Sequence, residues 1–303
     1  MLPPDDFDPP IGVAEVLEPL LRRIVAPNPS PMTYRGTNTY LLGDTEIAVI
    51  DPGPLEDAHL AAILDAILPH QRITHIIVTH AHLDHSPLAR PLANRCGAPI
   101  YAYGNAAAGR SEVMQELARS GTIIGGEGID HTFHPDHTLA DGQEIQTTEW
   151  TLRALHTPGH IGNHLCLGWG AACFTADHVM GWASSLVSPP DGDLSDFMHS
   201  CAKLQQDQWN VFYPGHGAPV TAPNDRLTWL VQHRTRRESE ILQALAFGPA
   251  TAAEIAARVY RDTPTALLGA ATRNVLAHLI DLKSKSRARS VGELRENAAF
   301  ELI

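Results

Sequence analysis

The run Thr79-His80-Ala81-His82-Leu83-Asp84-His85 constrains the fold of this chain more than any other stretch. Four side chains able to bind a metal fall within six residues, directly after Ile73-Thr74-His75-Ile76-Ile77-Val78. The β-branched residues of that run predict a buried strand. Two ligands on one helix face would stand four residues apart, as in HExxH. Here His80 and His82 are two apart, and Asp84 and His85 are adjacent. That spacing suits a loop leaving a strand, where successive residues splay around two metals rather than one.

On either side of this loop the chain alternates short apolar runs with amphipathic ones. Residues 1–30 are broken by prolines and read as an irregular arm over the first sheet. Residues 38–43 and 46–51 predict two strands around a Gly43-Asp44 turn, the second ending at Asp51 before Pro52-Gly53-Pro54. Helical spacing covers 56–68 and 86–96, with Pro87 placed in a first helical turn. Residues 104–142 show no clear period beyond a possible helix at 106–119, and read as an insertion lying over the site, with His131, His134 and His137 as exposed loop residues. Strands return at 151–156, 165–167, 172–175 and 210–213, with a helix over 194–208. After Pro223 the character changes. Helices over 226–247, 251–260 and 265–282, then a hairpin of 287–291 with 299–303, follow the order of a winged helix. The domain boundary is placed near 222, giving a catalytic domain over 1–222 and a winged-helix-like domain over 223–303.

At 303 residues the chain is long enough for a full core and more than one domain. The net charge of −12 is uneven: residues 1–222 carry −15 and residues 223–303 carry +3. The acidic part argues against nonspecific nucleic-acid binding by the whole protein, while the tail leaves it open. Four cysteines with no CxxC pair favour reduced thiols in the cytoplasm over a disulfide frame. The acidic, proline-rich N-terminus lacks the marks of a signal peptide, and no apolar run approaches the roughly 20 residues of a membrane span.

Three later positions extend the metal-binding set. Thr157-Pro158-Gly159-His160 puts a histidine on a tight turn after a strand, Thr175-Ala176-Asp177-His178 ends a strand in an aspartate, and Tyr213-Pro214-Gly215-His216-Gly217 repeats the Gly-His pattern. Taken in order, HxHxDH, GH, Asp and GH resemble the metallo-β-lactamase-fold hydrolases over about residues 30–220. The resemblance implies an α/β fold, a four-layer αβ/βα sandwich with a dinuclear site between the edges of two sheets. It also implies that His80, His82 and His160 hold one metal, that Asp84, His85 and His216 hold the other, and that Asp177 bridges them. Such donor sets suit two Zn²⁺ best, with Mn²⁺ or Fe²⁺ possible at the oxygen-richer site. Two cations about 3.5–4 Å apart can share a water and lower its pKa towards about 7. The expected chemistry is attack of a metal-bridging hydroxide on an ester, thioester or lactone, with Asp84 orienting the nucleophile. Asp51 is implied as an acceptor for a ligand imidazole N–H, a turn-capping aspartate being the other reading. Asn38, Tyr40, His164 and His178 are candidate substrate-pocket residues.

Other features narrow the branch. His82 stands where oxygen-reducing relatives carry Glu, and Asp177 stands where true β-lactamases of this fold lack the bridging carboxylate. The tail from His233 to Glu238 with its following helices, and Ser188-Pro189-Pro190-Asp191-Gly192-Asp193, resemble the endoribonuclease branch and its bacterial relatives with a C-terminal winged helix. Ser86-Pro87 and Ala176 depart from the glycines usual at those places. Two further readings therefore stay open: an endoribonuclease on single-stranded RNA, with residues 265–282 as recognition helix and Lys283, Lys285, Arg287 and Arg289 near the wing, and a nonenzymatic nucleic-acid-binding regulator with structural metals. A lid or homodimer contact is the simpler use of the C-terminal domain.

Overall fold

The computed structural model describes residues 7–126, 128–261 and 263–303. The apolar strand before the His-rich loop sits inside a seven-stranded sheet. Its strands are β1 (Glu15–Glu18), β2 (Leu21–Val25), β3 (Asn38–Leu42), β4 (Glu46–Ile50), β5 (Arg72–Ile77), β6 (Ile100–Ala102) and β7 (His137–Thr138), neighbours in chain order. The pairs from β1 to β4 are antiparallel, and those from β4 to β7 are parallel. The crossovers carry α1 (Asp57–Asp65), α2 (Ala89–Cys96) and α3 (Glu112–Ser120). A second sheet runs in the order β12-β11-β10-β9-β8, built from β8 (Glu144–Gln146), β9 (Thr151–His156), β10 (Leu165–Trp169), β11 (Ala172–Ala176) and β12 (Val211–Pro214). Helix α4 (Leu194–Leu204) connects β11 to its parallel partner β12.

Side-chain alternation along each strand sorts the apolar residues into layers. Tyr40, Leu42, Ala48 and Ile50 point between the sheets and pack with Leu152, Leu165, Leu167 and Phe174. Their neighbours Leu41, Ile47 and Val49 face the other way, onto Ile63 of α1 and Leu92 of α2. Beyond the second sheet, Cys166, Cys173 and Phe212 pack on Phe197 and Cys201 of α4. The result is helix, sheet, sheet, helix, a mixed α/β sandwich.

The C-terminal residues form α5 (Pro223–Leu245), β13 (Ala250–Thr251), α6 (Ala252–Val259), a 3₁₀ turn (Thr265–Leu267), α7 (Leu268–Ser284), β14 (Ala288–Ser290) and β15 (Ala299–Leu302), the last two an antiparallel wing. A Thr251–Glu254 capping box starts α6. The first half of α5 belongs to the α4 layer through Leu227 and Leu230. Its second half packs with α6 and α7 around Ile241, Leu245, Ile255, Val275 and Leu279.

Three parts differ from the expected pattern. The proline-punctuated arm is not irregular throughout, because Leu21, Ile24 and Val25 are buried and β1 and β2 form a hairpin turning at Pro19-Leu20. Its prolines fall outside the two strands, where they break no ladder. Helix α2 starts only at Ala89; Ser86 before it donates through both N and Oγ to His82 O, and its Oγ also reaches Asp130. Of the 104–142 segment, α3 docks on the C-terminal core through Met114 and Leu117, and Asp130 N and Leu83 N bond the segment to the His-rich loop. His131, His134 and His137 are exposed, as expected. All four cysteines are free. No helix among the described residues is long and apolar enough to cross a membrane.

One buried ring links this packing to pH. His59 of α1 is fully buried, with Nε2 2.8 Å from Thr39 Oγ1 of β3. Since Thr39 donates its own proton to Asp51 O, His59 Nε2–H is the donor. Burial pushes His59 from 6.5 down to about 4. A base with a depressed folded pKa contributes stability that is present above its unfolded value and lost as pH falls through the folded one. The unfolding free energy of the wild type is therefore expected to drop relative to that of His59→Gln between pH 6.5 and pH 4, the gap changing by up to roughly 3 kcal/mol. A gap that stays constant over this window contradicts the assignment.

Candidate metal centre

The loop after β5 runs into the cleft between the two sheets, and the ends of β9, β11 and β12 arrive from the opposite side. Leu165 N of β10 donates to Thr79 O at 2.8 Å, and Asn38 N of β3 donates to Gly215 O at 2.7 Å, so backbone bonds join both sheets at this rim. Two glycines permit the close approach. A side chain at Gly159, where φ is +138°, would sit 2.4 Å from the Phe197 backbone. A Cβ at Gly215 would lie 2.4 Å from Asp177 Oδ1 and 2.8 Å from His85 Cε1. Asp177 itself follows Ala176, which takes φ +41° beside a bulge in β11. Glycine would be unstrained in that left-handed conformation, so this chain holds alanine there at some cost.

All seven residues marked by the motif converge. Ligand atoms of His80, His82 and His160 form one group and those of Asp84, His85, Asp177 and His216 another, each group within 4.8 Å. Asp177 stands between them: Oδ2 is 3.6 Å from His160 Nε2, and Oδ1 is 3.4 Å from Nε2 of both His85 and His216. Asp84 Oδ2 lies 3.2 Å from His216 Nε2.

Outer contacts set which ring nitrogen faces in. Asp51 accepts from Thr79 N and Thr79 Oγ1 at 2.7 Å each and from His85 Nδ1 at 2.9 Å. Because Thr79 spends its proton on Asp51, His80 Nδ1–H must donate to Thr79 Oγ1, at 2.9 Å. His160 Nδ1 donates to Leu186 O at 2.7 Å and His216 Nδ1 to Gly36 O at 3.2 Å. Four rings thus carry their proton on Nδ1 and turn Nε2 inward, while His82 presents Nδ1, 3.0 Å from His160 Nε2. His80 Nε2 and Asp177 Oδ1 are buried without a hydrogen-bond partner.

This donor set fits divalent cations. Nitrogen lone pairs facing each other at 3.0 Å (His82–His160) and 3.4 Å (His85–His216) repel unless a cation or a proton lies between them. Ligands about 2.0–2.1 Å from a tetrahedral Zn²⁺ would stand about 3.3 Å apart. Electrostatics divide the two groups. Burial, reinforced by His160, pushes His82 down to about 3, and burial likewise lowers His80 and His160, leaving three neutral imidazoles. Burial also opposes charge on His216, yet Asp177 and Asp84 raise it to about 9. Burial works against ionising Asp177, but His216 and His85 hold it far below the ordinary carboxylate range.

The four residues expected to line a substrate pocket take other places. Asn38 Nδ2 donates to Pro214 O and Gly217 O at 2.9 Å each, and Tyr40 OH donates to Pro214 O at 2.7 Å, so both pin the turn that presents His216. His164 is fully buried behind His80, its ring 5.1 Å away and Nδ1 on Thr157 Oγ1. His178 is buried against Phe197 and Cys201. None of the four reaches solvent, because the inter-sheet core and the α4 layer enclose them. Thr79, Gly36 O and Leu186 O were not legible as site contacts. Thr79 adjoins the motif without resembling a ligand, and a backbone carbonyl leaves no residue-type signal.

Known proteins are similar to this chain in sequence and in fold. The Metallo-beta-lactamase superfamily profile matches residues 32–230, and the Beta-lactamase associated winged helix domain profile matches residues 251–296. A Beta-lactamase-like protein 2 homolog of Drosophila melanogaster is 31% identical over 279 residues, covering 88% of this chain and 89% of the relative. An Atrochrysone carboxyl ACP thioesterase of Aspergillus fumigatus is 30% identical over 275 residues, covering 84% and 78%. A Beta-lactamase domain protein from Burkholderia ambifaria superposes with a TM-score of 0.80 at 22% identity, over 100% of this chain and 97% of that one. A metallo-beta-lactamase family protein from Thermus thermophilus does so with 0.74 at 24%, over 95% and 100%.

Asp51 offers a clean test of the outer contacts, because it sits at φ +50°, where asparagine is equally tolerated. Asp51→Asn is expected to leave the fold intact and to weaken zinc binding by about 10–100-fold in competition with a chromogenic chelator. Unchanged affinity would mean that Asp51 does not orient His85.

Proposed function

Since this chain belongs to the metallo-beta-lactamase superfamily and is a metal-dependent hydrolase with a winged-helix extension, we propose that it holds two divalent cations, zinc best suited, and hydrolyses an acyl thioester. The reading is carried by one observation: three neutral inward-facing imidazoles and a mixed histidine–carboxylate group share the buried Asp177. In it, His80, His82 and His160 would hold one cation and Asp84, His85 and His216 the other, with Asp177 placed between the two groups. When bound, the cations supply polarisation of an acyl oxygen and a water of lowered pKa.

The remaining work falls to the chain. Thr79, Asp51, Leu186 O and Gly36 O keep the ring nitrogens aimed before substrate arrives, so little reorganisation is needed at the moment of reaction. Asp84 is the more exposed of the two carboxylates, its side chain 27% accessible against 10% for Asp177. Asp84 therefore meets the incoming water, orienting it and holding its proton at the free oxygen Oδ1. Water adds to the acyl carbon, the C–S bond breaks, and the products are a carboxylate and a thiol. A thiol with pKa about 8.5 departs as thiolate far more readily than an alcohol departs as alkoxide. The leaving thiolate needs no proton donor to depart, which suits thioesters better than ordinary esters. The thioesterase named for the Aspergillus fumigatus relative supports the same substrate class.

RNA is the weaker reading. Helix α7, the expected recognition helix, is buried over most of residues 271–282, and Arg273 turns inward. Lys285 pairs with Asp281 and Glu238, Arg287 with Glu238, and Arg289 with Glu301, so much of the basic character of the wing is neutralised within the chain.

The test is turnover of S-acyl pantetheine thioesters by zinc-loaded protein, beside a lactone and single-stranded RNA. Thioester hydrolysis is expected to disappear on chelation and to return with zinc, and Asp84→Asn is expected to lower kcat by more than about 100-fold. Cleavage of RNA with no thioester turnover would replace this reading.

A further inference from the structure

The backbone between Asp177 and α4 is bonded by side chains of α5 and α7. Arg226 Nε and Nη2 cap Met180 O and Ala183 O at 2.7 Å each. Arg273 bonds Ser188 Oγ, Pro189 O and, across the cleft, Ile124 O. At the centre stands Arg234 of α5, 2% exposed and with no carboxylate partner among the described residues. Its Nη2 donates to Ser185 O, its Nη1 donates to Asn274 Oδ1 of α7 at 3.0 Å, and its guanidinium lies 5.0 Å from the Phe197 ring. Asn274 Oδ1 also accepts from Val187 N at 3.1 Å.

Burying a guanidinium without a carboxylate is costly, so its position must be tightly specified by what it bonds. What it bonds is the stretch that reaches the metal centre. Between Ser185 and Val187 lies Leu186, whose carbonyl takes the Nδ1 proton of His160 at 2.7 Å. Ser185 Oγ is also within hydrogen-bond distance of the carbonyls of Asp177 and of His178. Leu186 is thus flanked on both sides by bonds from the C-terminal helices, through Arg234 of α5 before it and Asn274 of α7 after it.

We infer that Arg234 and Asn274 are positioning residues for the three-histidine group, acting through Leu186 O to fix the tautomer and orientation of His160. This rests on the proposed role of that group as a cation site, and it gives the C-terminal domain a part in assembling the centre. The domain is then not an independent module, and its loss would unfasten a histidine in the other domain.

The experiment compares Asn274→Ala, which removes the acceptor shared by Val187 N and Arg234, with Asn274→Asp, which keeps it. Nitrogen-15 histidine NMR of the metal-free protein reads the His160 ring, assigned by loss of its signals in His160→Gln. The wild type and Asn274→Asp are expected to show one tautomer with the proton on Nδ1, and Asn274→Ala a mixture. Zinc affinity by chelator competition is expected to fall at least about tenfold in Asn274→Ala and to stay within about twofold of wild type in Asn274→Asp. Arg234→Lys keeps the charge but cannot bridge Ser185 O and Asn274, and it carries the alanine expectation if that variant does not fold. Arg237→Ala, on the same helix but bonded to Glu240 and Val259 O, is the control for general loosening. An unchanged His160 tautomer in folded Asn274→Ala or Arg234→Lys overturns the inference, as does an equal change in Arg237→Ala. The NMR arm needs neither metal nor substrate, so failure of the thioesterase reading would not produce either result.

Discussion

The structure depends on holding nitrogen lone pairs and carboxylates together in a place where water cannot separate them. Five imidazoles and two carboxylates crowd one rim, and their inward atoms lie closer together than unscreened lone pairs prefer. Within the cluster, Asp84 and Asp177 attract His85 and His216, but the three neutral imidazoles of the other group gain nothing from that arrangement in the absence of a cation. It is maintained from outside, by Thr79, Asp51, Leu186 O and Gly36 O, each on a different segment and each fixing one ring nitrogen. The two sheets supply the frame, and the hydrogen bonds from Asn38 and Tyr40 to Pro214 O lock them together beside His216.

The layers of the fold therefore act in series. Helix α1 holds Thr39 through His59, Thr39 holds Asp51 O, and the Asp51 carboxylate aims His85. On the far side, α5 and α7 hold the 185–188 backbone, which aims His160. The two halves of the centre are thereby braced from opposite outer layers, and Asp177 joins them in the middle. A hydrolase gains from such bracing, because preorganised groups cost no reorientation during reaction.

Much of this was legible from residue identity. HxHxDH after a β-branched strand, the two Gly-His turns and the strand-ending Asp177 mark side chains whose chemistry is written in their type, and all seven meet. The helix–helix–helix–ribbon order of the tail was also readable, because hydrophobic period and capping signals are local. What could not be read were contacts made by backbone atoms, such as Leu186 O, and the direction in which a polar residue points. Asn38, Tyr40, His164 and His178 are candidate pocket residues by type, yet all four are buried in the core. Arg234, in the His233–Glu238 run that resembles the endoribonuclease branch, is among the most buried of the described side chains. The 104–142 segment lacked a period because its helix is short and much of its backbone is held by loop contacts rather than by regular elements.

The most direct measurement is a crystal structure of the zinc-loaded protein, with anomalous scattering recorded on both sides of the zinc edge. The account predicts two anomalous peaks, one against His80, His82 and His160 and one against Asp84, His85 and His216, with Asp177 in contact with both. A single peak, or any of these seven side chains turned away from the ions, would contradict it.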